Sequence, residues 1–282
     1  MASLFTAIVL RDVPKLSAQI DLFKYPLKGG FRGFSLVPPG VHYVSVQAEA
    51  THPGFWCYLH PDEVVVKVFD YTLQQFVDDN SESVATYQQL AINGSMGTAL
   101  FPYPQEQWEK WWKLTQYINP SDFPPQLYQE IVSEPPVNLP IAELSDWMEK
   151  HHKSRFELAL FDTHKGDREA FLGELQFSFV RWLVNSENNE DAEAFNRWQH
   201  LLLSIYNAGE RIISQNSNCF VAVIDTLIAQ FECLSDSMFE PNSFVNHDAS
   251  YLVEDMLDTD IEELGAKGRE FAAYLEKRRT NG

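Results

Sequence analysis

Eight histidines, three cysteines and 40 carboxylates are the side chains with which this chain could do chemistry. A metal site needs several ligands brought together, on a helix usually at i, i+4 spacing. His151 and His152 are adjacent and His164 follows twelve residues later. No cysteine or carboxylate at helical spacing completes a strong set, so these histidines are expected on an exposed polar helix face. Cys57, Cys219 and Cys233 are odd in number and far apart. No pair has a zinc or redox spacing, which predicts reduced, buried thiols in a cytosolic or nuclear protein. Gly29-Gly30-Phe31-Arg32-Gly33 lacks the spacing of a dinucleotide loop and opens no helix, so it reads as a tight turn. Carboxylates abound, yet no spacing singles out an acid/base pair. Trp111-Trp112 could stack on bases, but without surrounding Lys and Arg the dipeptide reads as one core and one junction residue. Glu240 to Glu263 holds eight acidic residues and no Lys or Arg. Its default is a solvated face, and its functional alternative is docking on a basic surface. Candidate partner contacts are therefore Glu254, Asp255, Asp258 and Trp111. Catalytic, metal and cofactor sites are expected to be absent.

The charge sets the class of partner. The formal net charge is -19. Nucleic-acid binding rests on neutralising phosphates with Lys and Arg, so no direct nucleic-acid partner is expected. The same charge suits a basic protein partner, or simply solubility. At 45% apolar and 13% aromatic the chain is globular material, long enough for two domains. Leu4 to Leu10 is apolar but lacks a positive flank and a cleavage site, so it reads as a first strand. Asn93-Gly94-Ser95 reads as a turn. No apolar stretch approaches the roughly 20 residues that cross a bilayer, so no membrane partner is expected.

The elements that would position these residues fall into two groups. Ala7 to Leu10, Gln19 to Phe23, Val41 to Val46, Gly54 to Leu59 and Glu63 to Phe69 are short β-rich runs between Pro and Gly turns. Their short connections predict antiparallel pairing. Thr72 to Gln89 reads as partly helical, and Gln105 to Ile118 as a helix after Pro104. Prolines 120, 124, 125, 135, 136 and 140 mark residues 119–140 as an interdomain linker. Beyond it Ser145–Phe161, Phe171–Val184, Asp191–Tyr206, Asn218–Leu234, Asp248–Leu264 and Lys267–Arg279 each carry an apolar stripe. The fold class is α+β: a mostly antiparallel β domain over 1–118, the linker, and an all-helical domain over 141–282. Leu175, Phe179, Trp198, Leu202, Ile224 and Leu227 are expected in one helical core.

Four segments then carry a resemblance. Phe31-Arg32-Gly33-Phe34-Ser35-Leu36-Val37-Pro38-Pro39-Gly40-Val41-His42-Tyr43 is similar to the F-x-G-h-x-x-h-P-P-G-h-H signature (h, apolar) of the AAR-two family of splicing factors. Pro102-Tyr103-Pro104 with Trp112 to Ile118 resembles that family's P-Y-P…W-x-x-L-T-x-h-I. Gly173-Glu174-Leu175-Gln176-Phe177-Ser178-Phe179 resembles its G-E-L-Q-F-A-F, and Ala194-Phe195-Asn196-Arg197-Trp198 its E-A-F-x-x-W. The segments keep the family's order over most of the chain.

The resemblance implies a β-rich first domain, a helical second domain of VHS-like superhelical type, and no enzyme activity or cofactor. It implies a chaperone of U-five small nuclear ribonucleoprotein assembly, in cytoplasm and nucleus. Its partner would be the Prp-eight scaffold, at the RNase H-like and Jab/MPN domains. The linker is shorter than in many relatives, and the chain stops straight after its last helix, where relatives often carry a tail. The alternative reading is a VHS-like, peptide-binding trafficking adaptor, and a third is a hydrolase, which a cleft of convergent carboxylates or histidines would support. On physical grounds Pro38, Pro39 and Gly40 shape a turn, Gly173 allows close helix approach, and Leu175, Phe179 and Trp198 are core candidates; Gly33, Glu174, Gln176, Phe177 and Phe195 are the other motif residues.

Overall fold

A computed structural model describes residues 6–14, 17–27, 29–48, 51–120, 123, 127, 140, 143, 155–186 and 191–280. It divides into two compact units, Met1–Pro124 and Pro125–Gly282. The expected helix start at Ser145, and His151 and His152, lie outside the described residues.

Among the described residues the first unit has nine strands: β1 (Ala7–Arg11), β2 (Ser17–Ile20), β3 (Phe23–Pro26), β4 (Gly33–Ser35), β5 (Gly40–Gln47), β6 (Gly54–Leu59), β7 (Val64–Asp70), β8 (Gln75–Asp78) and β9 (Phe101–Pro102). They form a five-stranded sheet, β8-β7-β1-β4-β9, and a four-stranded sheet, β3-β2-β5-β6. Two pairings depart from expectation. β1 runs parallel to β7, with Ala7 opposite Val64, and β4 runs parallel to β9. The other five pairs are antiparallel. The parallel pairs are possible because their connections are long: the one between β1 and β7 makes the whole second sheet before returning, and the one between β4 and β9 runs through β5 to β8 and helix α1 (Ser81–Ile92). β1 accordingly buries both faces: Ile8 and Leu10 pack toward β2, β5 and β6, while Ala7 and Val9 pack under α1. A strand covered on both sides reads as an unbroken apolar run.

The run Gln19–Phe23 is two strands, not one. Ile20 pairs with Phe23 across a tight turn in which Asp21 takes φ 53°. β8, absent from the sequence reading, precedes α1, whose N-cap Asn80 accepts from the Ser83 N–H at 2.9 Å. Helix α2 (Trp108–Thr115) follows a 3₁₀ turn at Gln105–Gln107 and lies on β5.

The second unit is helical: α3 (Arg155–Glu157), a π-type turn at Leu158–Thr163, α4 (Arg168–Asn185), α5 (Ala192–Tyr206), α6 (Glu210–Gln215), α7 (Ser217–Phe231), α8 (Ala249–Asp258) and α9 (Glu262–Thr280). Asp167 and Asp191 cap α4 and α5 by accepting from the N–H of Ala170 and Ala194. α4 is buried on every side from Phe171 to Val180. α5, α7 and α3 pack around it, and Phe179, Trp182, Phe195, Trp198 and Phe244 join in one aromatic cluster. Leu175, Phe179, Trp198, Leu202, Ile224 and Leu227 are all fully buried, as the stripes predict. The expected helix Asp248–Leu264 is broken instead at Thr259, whose backbone is extended. The buried Thr259 hydroxyl donates to the Met256 carbonyl and closes α8 there. The short helix α6 was also absent from the sequence reading.

Candidate functional site: buried polar networks and the surfaces they leave free

Three side chains in the first unit look at first like a catalytic constellation. Asp21, held in the left-handed region at its turn, points its carboxylate into the core. Oδ1 accepts from the Tyr43 backbone N–H at 3.0 Å, and Oδ2 from the Tyr103 hydroxyl at 2.8 Å. His42 Nδ1 lies 2.9 Å from the same Oδ2, and its Nε2 is 2.7 Å from the Pro38 carbonyl. That carbonyl can only accept, so Nε2 carries a proton. The imidazole is fully buried and stacks on Trp108. Burial, helped by Asp21, drives the Tyr103 phenol pKa far up, so Tyr103 stays a donor. With every polar atom of the imidazole and carboxylate engaged, the network has no free atom to offer a reactant. It ties β2, β5 and the Pro102–Tyr103 segment together.

The first signature therefore reads as architecture. Gly33 sits at φ 125°, and a Cβ there would collide with the Ile8 carbonyl oxygen across the β1–β4 pair. Gly40 sits at φ 136°, with Trp108 against the space a side chain would need. The carbonyl of Pro38 anchors His42, and Pro39 carries the turn into β5.

In the second unit Glu174 is 2% exposed, on a helix buried all round. A lone carboxylate there would be very costly. Arg197 of α5 answers it with a two-pronged pair: Nε donates to Oε1 at 2.7 Å and Nη2 to Oε2 at 2.9 Å. His164, at the end of the π-type turn, places Nε2 2.8 Å from Oε2. His164 is thus buried and paired, not on the exposed face expected for it. At the next residue of each helix, Trp198 Nε1 donates to Gln230 Oε1 at 2.9 Å, and Gln230 Nε2 donates to the Leu175 carbonyl at 3.2 Å. The third and fourth motif segments are thereby bolted together and to α7. Gly173, Gln176 and Phe177 are buried in the same helix, and Phe195 is half-buried in the aromatic cluster.

The partner-contact candidates separate. Trp111 is buried, and its indole N–H donates to the Val41 carbonyl at 2.7 Å, which corrects its assignment as a contact residue. Helical geometry turns its neighbour Trp112 outward instead, 46% exposed. Glu254 and Asp258 are exposed on α8. Asp255 is half-buried and accepts from the Glu210 backbone N–H at the start of α6. Its carboxyl is raised above the usual range by burial first, then by Asp258, Glu210 and Glu254. Sequence reasoning missed Tyr251 on the same helix, and it placed Leu257 in the buried stripe with Leu252 and Met256; both are exposed, because Leu257 stands one step round the helix from Met256. Among the described residues no group of three or more His, Cys, Asp or Glu could hold a metal ion, and no helix is long and apolar enough to cross a membrane. Cys57 and Cys219 are buried and Cys233 half-buried, all as free thiols.

Known proteins match this chain along both halves. The AAR2 N-terminal domain model matches residues 5–132, and the AAR2 C-terminal repeat region model matches residues 141–280. The chain is also 23% identical over 222 residues to Protein AAR2 homolog of Caenorhabditis elegans. That match covers 73% of this chain and 62% of the relative, less than two thirds of its length. Both family models match in chain order, and together they take in most of the sequence, so the chain belongs to the AAR2 family.

Proposed function

We propose that this chain is a non-enzymatic assembly factor of pre-mRNA splicing. It binds the C-terminal RNase H-like and Jab/MPN domains of the Prp-eight scaffold while the U-five small nuclear ribonucleoprotein is built, in cytoplasm and nucleus. Membership of the AAR2 family carries this reading. The site chemistry supports it. The polar motif residues Glu174, Arg197 and His42, with Asp21 as the partner of His42, are engaged inside the two units, where they hold shape. Over the whole chain 40 carboxylates outnumber 21 Lys and Arg. A factor that masks an RNA-binding scaffold must itself avoid RNA, and this charge does so. Residues 1–118 and 141–282 act as the two binding domains, and 119–140 as the tether between them. Isothermal calorimetry with the purified RNase H-like domain tests the reading. Saturable heat and co-elution are expected. No heat and no co-elution at tens of micromolar would remove it.

A further inference from the structure

The outward face of α8 has the composition of a protein-docking surface, and among the described residues its carboxylates Glu254 and Asp258 have no ion-pair partner. The inward side of α8 is spoken for: Ala249, Leu252 and Met256 are fully buried. α9 lies close along it, so that a Cβ added at Gly268 would stand only 3.2 Å from Met256 Cβ. On the outward side Tyr251 is 52% exposed and Leu257 is 43% exposed. Tyr251, Glu254 and Leu257 follow one another at three-residue steps, and Asp258 stands four after Glu254, so all four side chains are neighbours on the helix surface. Tyr is among the residue types that most often anchor interfaces, because it brings a large rigid contact at little entropic cost.

Five of the second unit's described cations are used elsewhere. Arg181 pairs with Asp191 and Glu193, Arg197 with Glu174, and Arg211 with Glu157. Lys267 pairs with Asp225 and Glu270, and Arg278 with Asp236. Among the described residues Glu254 and Asp258 form no ion pair. Asp255, Glu254, Asp258 and the Glu210 carboxylate of α6 instead crowd one another, and burial first, then this crowding, makes Asp255 hold its proton more tightly than an ordinary aspartate. A cation brought to this face would find uncompensated negative charge beside exposed apolar surface. RNA and anionic membranes are repelled by the same charge.

We propose that Tyr251, Glu254, Leu257 and Asp258 form the docking face for a protein segment in which Arg or Lys side chains stand beside apolar ones. The proposal deepens the reading of the chain as a scaffold-binding factor and rests on it for the partner being a protein. Asp255 is not part of the contact set, because its carboxylate serves the start of α6.

The test uses the full chain and a short synthetic peptide of alternating Arg and Leu, followed by fluorescence anisotropy at low and at physiological salt. Two control peptides replace Arg by Glu, or Leu by Ser. The Arg/Leu peptide is expected to bind saturably, more weakly as salt rises. E254Q combined with D258N should weaken it about tenfold, and Y251A about as much. Both controls should bind at least about tenfold more weakly. Because these side chains face solvent, the variants should keep the wild-type melting temperature. Affinity unchanged in both variants, equal binding of the Arg/Ser peptide, or no saturable binding of the Arg/Leu peptide would each overturn the docking face. The same variants in the calorimetry with the Prp-eight domain separate the two claims. If the peptide docks on α8 but the scaffold domain never binds, the function reading falls and the face stands. If the scaffold domain binds wild type and variants alike, the face falls and the function reading stands.

Discussion

Replacing Glu174 with Gln probes how the second unit is locked. The wild-type carboxylate receives two donors from Arg197 and faces a third at His164, and all three side chains are buried. Glutamine keeps the volume but loses the charge and turns one acceptor into a donor. Arg197 is then a buried cation facing an amide. Breaking a buried ion pair from one side costs about 3–5 kcal/mol. At about 1.4 kcal/mol per power of ten, that is a fall in local protection of roughly a hundredfold to a few thousandfold. Hydrogen exchange read by mass spectrometry is the suitable assay, because it resolves the two units without assuming that the whole chain unfolds in one step. Amides of α4 and α5 should exchange faster by that factor, while strands β1 and β5 keep wild-type protection. R197M should behave similarly, since it removes both Arg197 donors from Glu174. The double variant E174M/R197M, which removes both charges and keeps apolar volume, should lose less than either single change. A loss below about threefold in E174Q would refute the view that this pair locks α4 to α5. So would a double variant as impaired as the sum of the singles.

Gly33→Ala should lower the melting temperature sharply or abolish soluble expression, since the new Cβ meets the Ile8 carbonyl at a φ disfavoured for L side chains; a melting temperature within about 2 °C of wild type would show that the β1–β4 contact can relax. Trp111→Ala should destabilise by about 3–5 kcal/mol in a denaturant titration, while Trp112→Ala stays within about 0.5 kcal/mol; equal effects would contradict the burial that distinguishes them. Burial pushes the Cys219 thiol up to about 11 and the Cys57 thiol higher still, so at pH 8 a thiol reagent should label Cys233 quickly and the other two only on unfolding; rapid labelling of all three would refute this. Asp255 binds its proton more tightly folded than unfolded, so its ionised form subtracts stability at neutral pH and the loss is recovered as pH falls through its titration. D255N should therefore be neutral or stabilising at pH 7, with the gain shrinking in acid; a D255N melting curve that worsens relative to wild type at pH 7 would mean its contact with the Glu210 N–H outweighs the repulsion.

The sequence by itself determined the class and the cores. Period-two runs between Pro and Gly turns specify strands locally, and apolar stripes at helical spacing specify which faces of α4, α5 and α7 are buried. Those signals lie within a few residues of one another, so Leu175, Phe179, Trp198 and Ile224 could be placed before any contact was seen. The motif segments were equally legible, down to the glycines whose φ only the structure supplies. Pairings between distant residues were left to the tertiary structure. β1 joins β7 in parallel across an entire second sheet, and nothing in either strand encodes the direction of its partner. Glu174 looked like one acidic residue among 40, and only the approach of α5 gives it Arg197, 23 positions away. Trp111 and Trp112 are the same residue type one step apart on a short helix, and which of them meets β5 depends on how that helix is laid on the sheet. The acidic residues of α8 were visible as a run, but whether cations stood opposite them was a question about packed neighbours. Local propensity acts over a turn or a strand, whereas a buried charge, a crossover and an exposed anchor are each fixed by what the rest of the chain brings alongside.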